Sequence, residues 1–226
     1  MVADNLKNVT LKISRCCEKA GRPIASVKLI CVTKTAGIDQ INEAISCGCR
    51  DIGENRVQDA IAKYKAIGDK AIWHLIGHLQ TNKVKDAVKI FSLIHSVDSV
   101  HLAKEVSKEA GKINKVQDIL IQVNTSGEES KFGLAPAAAD SFFNEIRLYP
   151  NINILGLMTI APEVADPGIV RAYFRRLREV RDGISGKLQV LSMGMTNDFE
   201  VAIEEGATMV RIGRAIFDSE ILRRSL

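Results

Sequence analysis

The chain has few aromatic residues: one Trp, three Tyr and seven Phe make up 5% of its 226 positions. That is little material for stacking bases. No compact run of Lys and Arg accompanies it. The net charge of +4 permits an anionic ligand without demanding nucleic acid. Cysteine is also scarce. The five thiols, Cys16, Cys17, Cys31, Cys47 and Cys49, are odd in number and lack C-x-x-C spacing. A disulfide framework and a structural zinc site are therefore not expected. Cys47-Gly48-Cys49 could bind a soft metal, but two ordinary thiols near a helix end explain it more simply. Met1 to Thr10 lacks the apolar core of a signal peptide, and no stretch reaches membrane-spanning length. A reducing cytoplasm is the expected compartment, with no membrane partner. H-E-x-x-H, G-x-S-x-G and G-x-x-x-x-G-K-[ST] are absent, so zinc proteolysis and nucleotide hydrolysis have no support. Clustered His and acid ligands are missing too. No Pro/Gly/Ser-rich linker and no low-complexity segment divides the chain, which predicts one domain over 1–226.

What is present is alternation. Short apolar runs alternate with amphipathic segments almost from end to end. A leading helix is expected from Asp4 to Lys19. Strands are expected at Val27–Val32, Asp51–Gly53, Ile72–Ile76, Leu93–Val97, Asp118–Val123, Ile154–Met158, Gln189–Ser192 and Met209–Ile212. Between them lie helical stripes such as Ile38, Ile41 and Ile45, or Val57, Ile61 and Tyr64. Val170, Phe174, Leu177 and Ile184 form another, with Arg171, Arg175, Arg178 and Arg181 on the opposite face. That arginine run is expected to be a solvated face. Asp98 and Ser99 suit one helix start, and Asn197 or Asp198 another. Eight strand–helix units imply right-handed crossovers and a parallel sheet, and eight is the number that closes a (β/α)8 barrel. A doubly wound open sheet is the alternative. The 161–168 loop lies between a strand and its helix, where active-site loops belong.

Lys34 follows the first apolar run and would project from the C-terminal end of a buried strand. Barrels place their reactive groups at that end. An amine in a poorly solvated pocket loses its charge more readily and can attack a carbonyl. On this residue alone, a solvated lysine closing a strand is the simpler reading. The other strand ends add weight. They supply Glu54, Asn55 and Arg56; His78 and Asn82; Asn124; Met158 and Thr159; Ser192, Gly194 and Thr196; then Arg211, Gly213 and Arg214. Glycines after the last two strands suit backbone approach to an anion, where barrels often bind phosphate. His74, inside Ile72-Trp73-His74-Leu75-Ile76, is expected to be a hydrogen-bonded core histidine rather than a catalytic one.

These stretches resemble one family, the pyridoxal phosphate homeostasis proteins (YggS/PROSC-like). The matching segments include Val32-Thr33-Lys34-Thr35, Gly53-Glu54-Asn55-Arg56-Val57-Gln58, Trp73 through Lys83, Gln122-Val123-Asn124 and Lys131-Phe132-Gly133. They continue with Gly156-Leu157-Met158, Leu191-Ser192-Met193-Gly194-Met195 and Gly206 through Gly213. The resemblance runs in order over nearly the whole chain. It implies a single barrel similar to the N-terminal domain of alanine racemase, binding pyridoxal 5'-phosphate at its rim. By position, Lys34 would form the Schiff base and Arg211 would face the pyridine nitrogen. Ser192, Gly213 and Arg214 would hold the phosphate, Asn55 would lie beside the ring, and Met193 belongs to the same binding set. The family often has Thr where Arg214 stands, Gly where Asp218 stands, and a second lysine where Ala36 stands.

An arginine opposite the ring nitrogen carries an effectively permanent charge. It would keep that nitrogen unprotonated and the ring a weaker electron sink. A racemase also needs an acid/base on the second face of the ring, which alanine racemases take from a further domain not expected here. The resemblance therefore implies a carrier or regulator of the cofactor, expected to be monomeric, with no catalytic residues and with cofactor-dependent client enzymes as possible partners. A weak racemase, and an aldolase using Lys34 without cofactor, are the alternatives.

Overall fold

The computed structural model describes residues 1–164, 166–185 and 188–218. The expected 1–226 domain extends into 219–226, and the expected 161–168 loop includes Ala165; both lie outside the described residues. Eight strands form in sequence: β1 (Lys28–Val32), β2 (Asp51–Glu54), β3 (Ile72–Leu75), β4 (Leu93–Val97), β5 (Gln117–Gln122), β6 (Ile152–Met158), β7 (Val190–Ser192) and β8 (Met209–Ile212). Each pairs in parallel with the next, and β8 returns to pair with β1, so the sheet closes into a barrel. The open-sheet alternative is thereby excluded. The helices are α1 (Val2–Lys19), α2 (Ile38–Ser46), α3 (Val57–Ile67), α4 (Val84–Ile90), α5 (Val100–Gly111), α6 (Ala139–Ile146), α7 (Pro167–Gly183), α8 (Phe199–Glu204) and the short α9 (Arg214–Phe217).

β4 and β8 have the limits expected from the sequence. β5 starts one residue earlier, at Gln117, a polar residue that an apolar-run criterion leaves out. It is fully buried because its amide donates to the backbone oxygens of Ser92 and Asp118. Its amide nitrogen is thereby satisfied, while its Oε1 is buried without a partner among the described residues. Local capping agrees with the pattern. Ser99 accepts from the Leu102 N–H at the start of α5, and Asp166 from the Gly168 N–H at the start of α7, where Pro167 takes the first helical position.

Successive strand residues face opposite sides, and this splits the apolar core in two. Cys31, Ile52, Trp73, Leu75 and Ile94 pack outward against the helices. Ile30, Leu93, Leu120, Met158 and Met209 form a separate cluster inside the barrel. That inner cluster is small because much of the remaining interior is polar: Asp51, His74, His95, Ser192 and Arg211 are all buried. α1 packs along α8, α9 and α2, and its Asn5 donates to the Ile216 backbone oxygen at 2.9 Å. The leading helix thus holds down the segment that follows β8.

Candidate functional site

The C-terminal strand ends surround a cavity of ≈ 530 Å³, a size that suits a small ligand. Lys34, Asn55, Arg211, Gly213 and Arg214 all contribute to its wall. Lys34 is exposed, and its amine makes no hydrogen bond or ion pair with the described residues. The backbone beneath it is fixed. The Thr33 hydroxyl donates to Glu54 Oε1, and Lys63 of α3 pairs with the same oxygen at 2.7 Å and donates to the Thr33 backbone oxygen. The Glu54 side chain is wholly buried and that of Lys63 is 15% exposed, so this ion pair is largely shielded from water. It ties the ends of β1 and β2 to α3, beside Lys34.

Arg211, at the end of β8, is 3% exposed. One guanidinium nitrogen donates to Ser192 Oγ at 2.6 Å and another to the Thr159 backbone oxygen at 2.9 Å. Burial pulls its pKa down to about 10, partly offset by the nearby Asp198 carboxylate; it remains a cation at neutral pH. Guanidinium has five N–H donors, so donors remain for a ligand in the cavity. Asp198 also lines the cavity and accepts from the Met195 N–H. Burial raises its carboxyl above the ordinary value, against the opposing effects of that N–H and of Arg211.

Two glycines let the backbone close around the cavity. Gly194 has φ +94°, and a Cβ there would lie 2.6 Å from the Ala202 Cβ. A Cβ on Gly213 would lie 2.9 Å from the Val32 backbone oxygen, so only glycine lets the end of β8 lie this close to β1. At the mouth, Glu163 bridges two walls. It accepts from Asn197 Nδ2 at 3.2 Å and pairs with Arg214 at 3.4 Å. The Arg214 guanidinium is half-exposed and engaged there.

Ser192 and Met193 are fully buried and do not line the cavity. The Ser192 hydroxyl is held between Arg211 and His95. Thr196 is the hydroxyl-bearing residue of that loop on the cavity wall. His74 is the bonded core histidine that its apolar run implies, with Asp51 at 2.9 Å and His95 at 3.0 Å. His95 was not singled out from the sequence, although Leu93-Ile94-His95-Ser96-Val97 places it at an inward position of a period-two run. His78 lies outside the cavity wall and stacks on Phe132 at 3.8 Å.

Residues 5–220 match the protein family described as alanine racemase, N-terminal domain. A pyridoxal phosphate homeostasis protein of Aquifex aeolicus is 48% identical over 219 residues, covering 95% of this chain and 96% of the relative. The chain belongs to the pyridoxal phosphate homeostasis protein family. PipY of Synechococcus elongatus, solved with PLP bound, superposes with a TM-score of 0.83 at 34% identity, covering 96% of this chain and all of that one. An alanine racemase of Clostridium difficile shares the fold at a TM-score of 0.74 and 14% identity, with 96% of this chain and 58% of that one covered.

In this homeostasis-family chain the arginine face of α7 is not simply solvated. Arg171, Arg175 and Arg178 converge on Glu205, and Arg171 also reaches Glu204. The face is turned to α8 of the same molecule. Among the described residues no group of His, Cys, Asp and Glu is arranged to hold a metal, and no helix is long and apolar enough to cross a membrane.

Proposed function

We propose that this chain binds pyridoxal 5'-phosphate in the rim cavity and serves the intracellular supply of that cofactor rather than turning over a substrate. The observation that carries this reading is the placing on one cavity wall of the Lys34 amine, unpaired among the described residues, with a buried guanidinium, Arg211. The donor set fits the cofactor. Lys34 would hold it covalently as a Schiff base. Asn55 would lie beside the ring and Arg211 against its nitrogen. Gly213, Arg214 and Thr196 would receive the phosphate. Ser192 and Met193 would act from behind the wall, Ser192 by holding Arg211. When bound, the cofactor supplies an electron-withdrawing ring conjugated to the amine it captures.

Two features favour holding over turnover. A cationic Arg211 keeps the ring nitrogen unprotonated, which weakens that withdrawal. Among the described residues the ionisable groups of the cavity wall are Lys34, Glu163, Asp198, Arg211 and Arg214, with no Tyr, Cys or His of the kind that serves as a second-face base. A supply role implies hand-over to client enzymes from a cytoplasmic, monomeric protein. The Glu163 bridge is then the contact that phosphate must share or displace.

The test is a visible absorption spectrum before and after borohydride, followed by peptide mass mapping. A yellow band that is bleached, with the pyridoxyl mass on Lys34, is the expected result. Lys34→Ala should lose covalent attachment entirely while keeping its circular dichroism spectrum, because an exposed rim lysine contributes little to the core. A colourless wild-type protein that gains no mass with added cofactor would reject the reading and favour an aldolase-type use of Lys34.

A further inference from the structure

An unbroken line of hydrogen bonds crosses the barrel interior from the cavity wall to the opposite end. Arg211 meets Ser192 at 2.6 Å, Ser192 meets His95 Nδ1 at 2.9 Å, and His95 Nε2 meets His74 Nδ1 at 3.0 Å. His74 Nε2 then meets Asp51 Oδ1 at 2.9 Å, and Lys28 closes the line on the same oxygen at 2.9 Å. Everything from Arg211 to Asp51 is buried, while the Lys28 side chain is 44% exposed.

With both histidines neutral, donor and acceptor capacities fix the direction of this line. Guanidinium only donates, so Ser192 Oγ accepts from Arg211. Ser192 Oγ has a second lone pair, so this end alone leaves open where the serine hydrogen goes. At the other end, an ionised carboxylate only accepts, so His74 Nε2 carries a hydrogen. In neutral His74 the Nδ1 is then bare and accepts from His95 Nε2. In neutral His95 the Nδ1 is then bare and takes the serine hydrogen, and no bond in the line is frustrated. The charges facing it agree. Burial, His74 and Arg211 all hold His95 well below its ordinary pKa. Burial works to raise Asp51, but the bonds from His74 and Lys28 outweigh it and lower its carboxyl. Asp198 acts on Arg211 through space from the cavity side.

With this direction, every group turns its negative end toward Arg211 and its positive end toward Asp51. A buried cation without compensation is costly. A carboxylate bonded directly to Arg211 would compensate it but would also cancel its field at the cavity. The relay places the hydrogen-bonded anion four links away and leaves the charge open to a ligand.

We propose that Asp51, His74 and His95 are positioning residues for the cofactor site, holding Arg211 through Ser192 in one orientation and in its charged form. The cavity end of this inference rests on the cofactor reading above; the line itself does not. The first measurement is therefore made without cofactor. Long-range proton–nitrogen correlation on protein labelled with ¹⁵N-histidine should show His74 and His95 both neutral with hydrogen on Nε2. A hydrogen on Nδ1 of either would overturn the line's direction and the proposal with it.

The second measurement is cofactor titration read by the visible band. Asp51→Asn keeps an acceptor but removes the anion, and should weaken binding roughly three- to tenfold. His95→Leu breaks the line and should weaken binding by about tenfold or more, with a displaced visible maximum. His95→Gln can accept from Ser192 and donate to His74 in the same direction, and should recover most of the affinity. Wild-type affinity and an unchanged band in folded His95→Leu would overturn the proposal. If His95→Leu does not fold, wild-type behaviour of Asp51→Asn overturns it instead. Failure of the wild type to take up the cofactor would show, before any variant is made, that the cofactor reading itself is wrong and this role with it.

Discussion

Arg211 and Arg175 are both paired arginines, but their surroundings differ. Arg175, with its side chain 53% exposed, meets Glu205 directly at 3.3 Å, and Arg171 and Arg178 share the same carboxylate. Arg211 is buried and reaches its hydrogen-bonded anion only through Ser192, His95 and His74. The Arg175 end of its pair stands half in water, where solvent and salt screen the charge, and the buried Glu205 carboxylate is met directly by three guanidinium groups. Inside the barrel no water answers an unmet donor, so each polar group must have a partner and the line must be complete. A direct ion pair marks a place where charge is used for packing α7 against α8. A relayed one marks a place where charge is kept for something else, here at the wall of a cavity.

The sharpest way to break this contrast is to remove a link from the buried line. His95→Leu leaves the Ser192 hydroxyl and His74 Nδ1 unpaired in the interior, and should cost about 2–4 kcal/mol in denaturant unfolding. A loss below about 1 kcal/mol, of surface size, would show that the line tolerates gaps and that the contrast is false.

Acid should expose the same difference. His95 has a lowered folded pKa, so the unfolded chain binds the proton first. Its stability contribution is complete above the unfolded value of about 6.5 and is lost as pH falls from there toward the folded value. Asp51 is also lowered, so its contribution is present above about 3.9 and is lost as pH falls through its folded value. Unfolding midpoints measured in steps from pH 7 to pH 4 should decline in wild type. In His95→Leu the part of the decline that begins near pH 6.5 should be smaller. Parallel curves would remove His95 from the account.

The smallest effect is expected on the surface. Arg175→Ala should change stability by less than about 1 kcal/mol, because Arg171 and Arg178 still serve the buried Glu205 carboxylate and the Arg175 side chain itself is half-exposed. Added salt should shrink even that difference, whereas the His95→Leu deficit should hardly respond to it.

Much of the fold is legible in the sequence because apolar runs are local. The Leu93–Val97 and Met209–Ile212 strands can be delimited from period and composition, and eight such runs limit the topology to closure or an open sheet. The cavity is legible in part, since Lys34, Asn55, Arg211, Gly213 and Arg214 all lie at or just after strand ends and line one cavity. What escapes is pairing between distant positions. Ser192 reads as a free hydroxyl in a glycine loop, yet it is held by two side chains inside the barrel. Nothing in the local pattern marks Lys63 of α3, yet it reaches into the β1–β2 seam. The arginines of α7 read as solvated because their acceptors, Glu204 and Glu205, lie on another helix about thirty residues away.

The sequence by itself determined the eight strand–helix units and which residues stand at the strand ends, because those follow from periodicity and short connections. It also determined that Lys34 and the two glycine loops would face a common rim if the barrel closed. Only the tertiary structure decided that Asp51, His74, His95, Ser192 and Arg211 make one line. Hydrogen bonding demands contact within about 3 Å, and no local pattern brings five residues from five strands to that distance. Closing the barrel does so, and the same closure removes the water that would otherwise have made the line unnecessary.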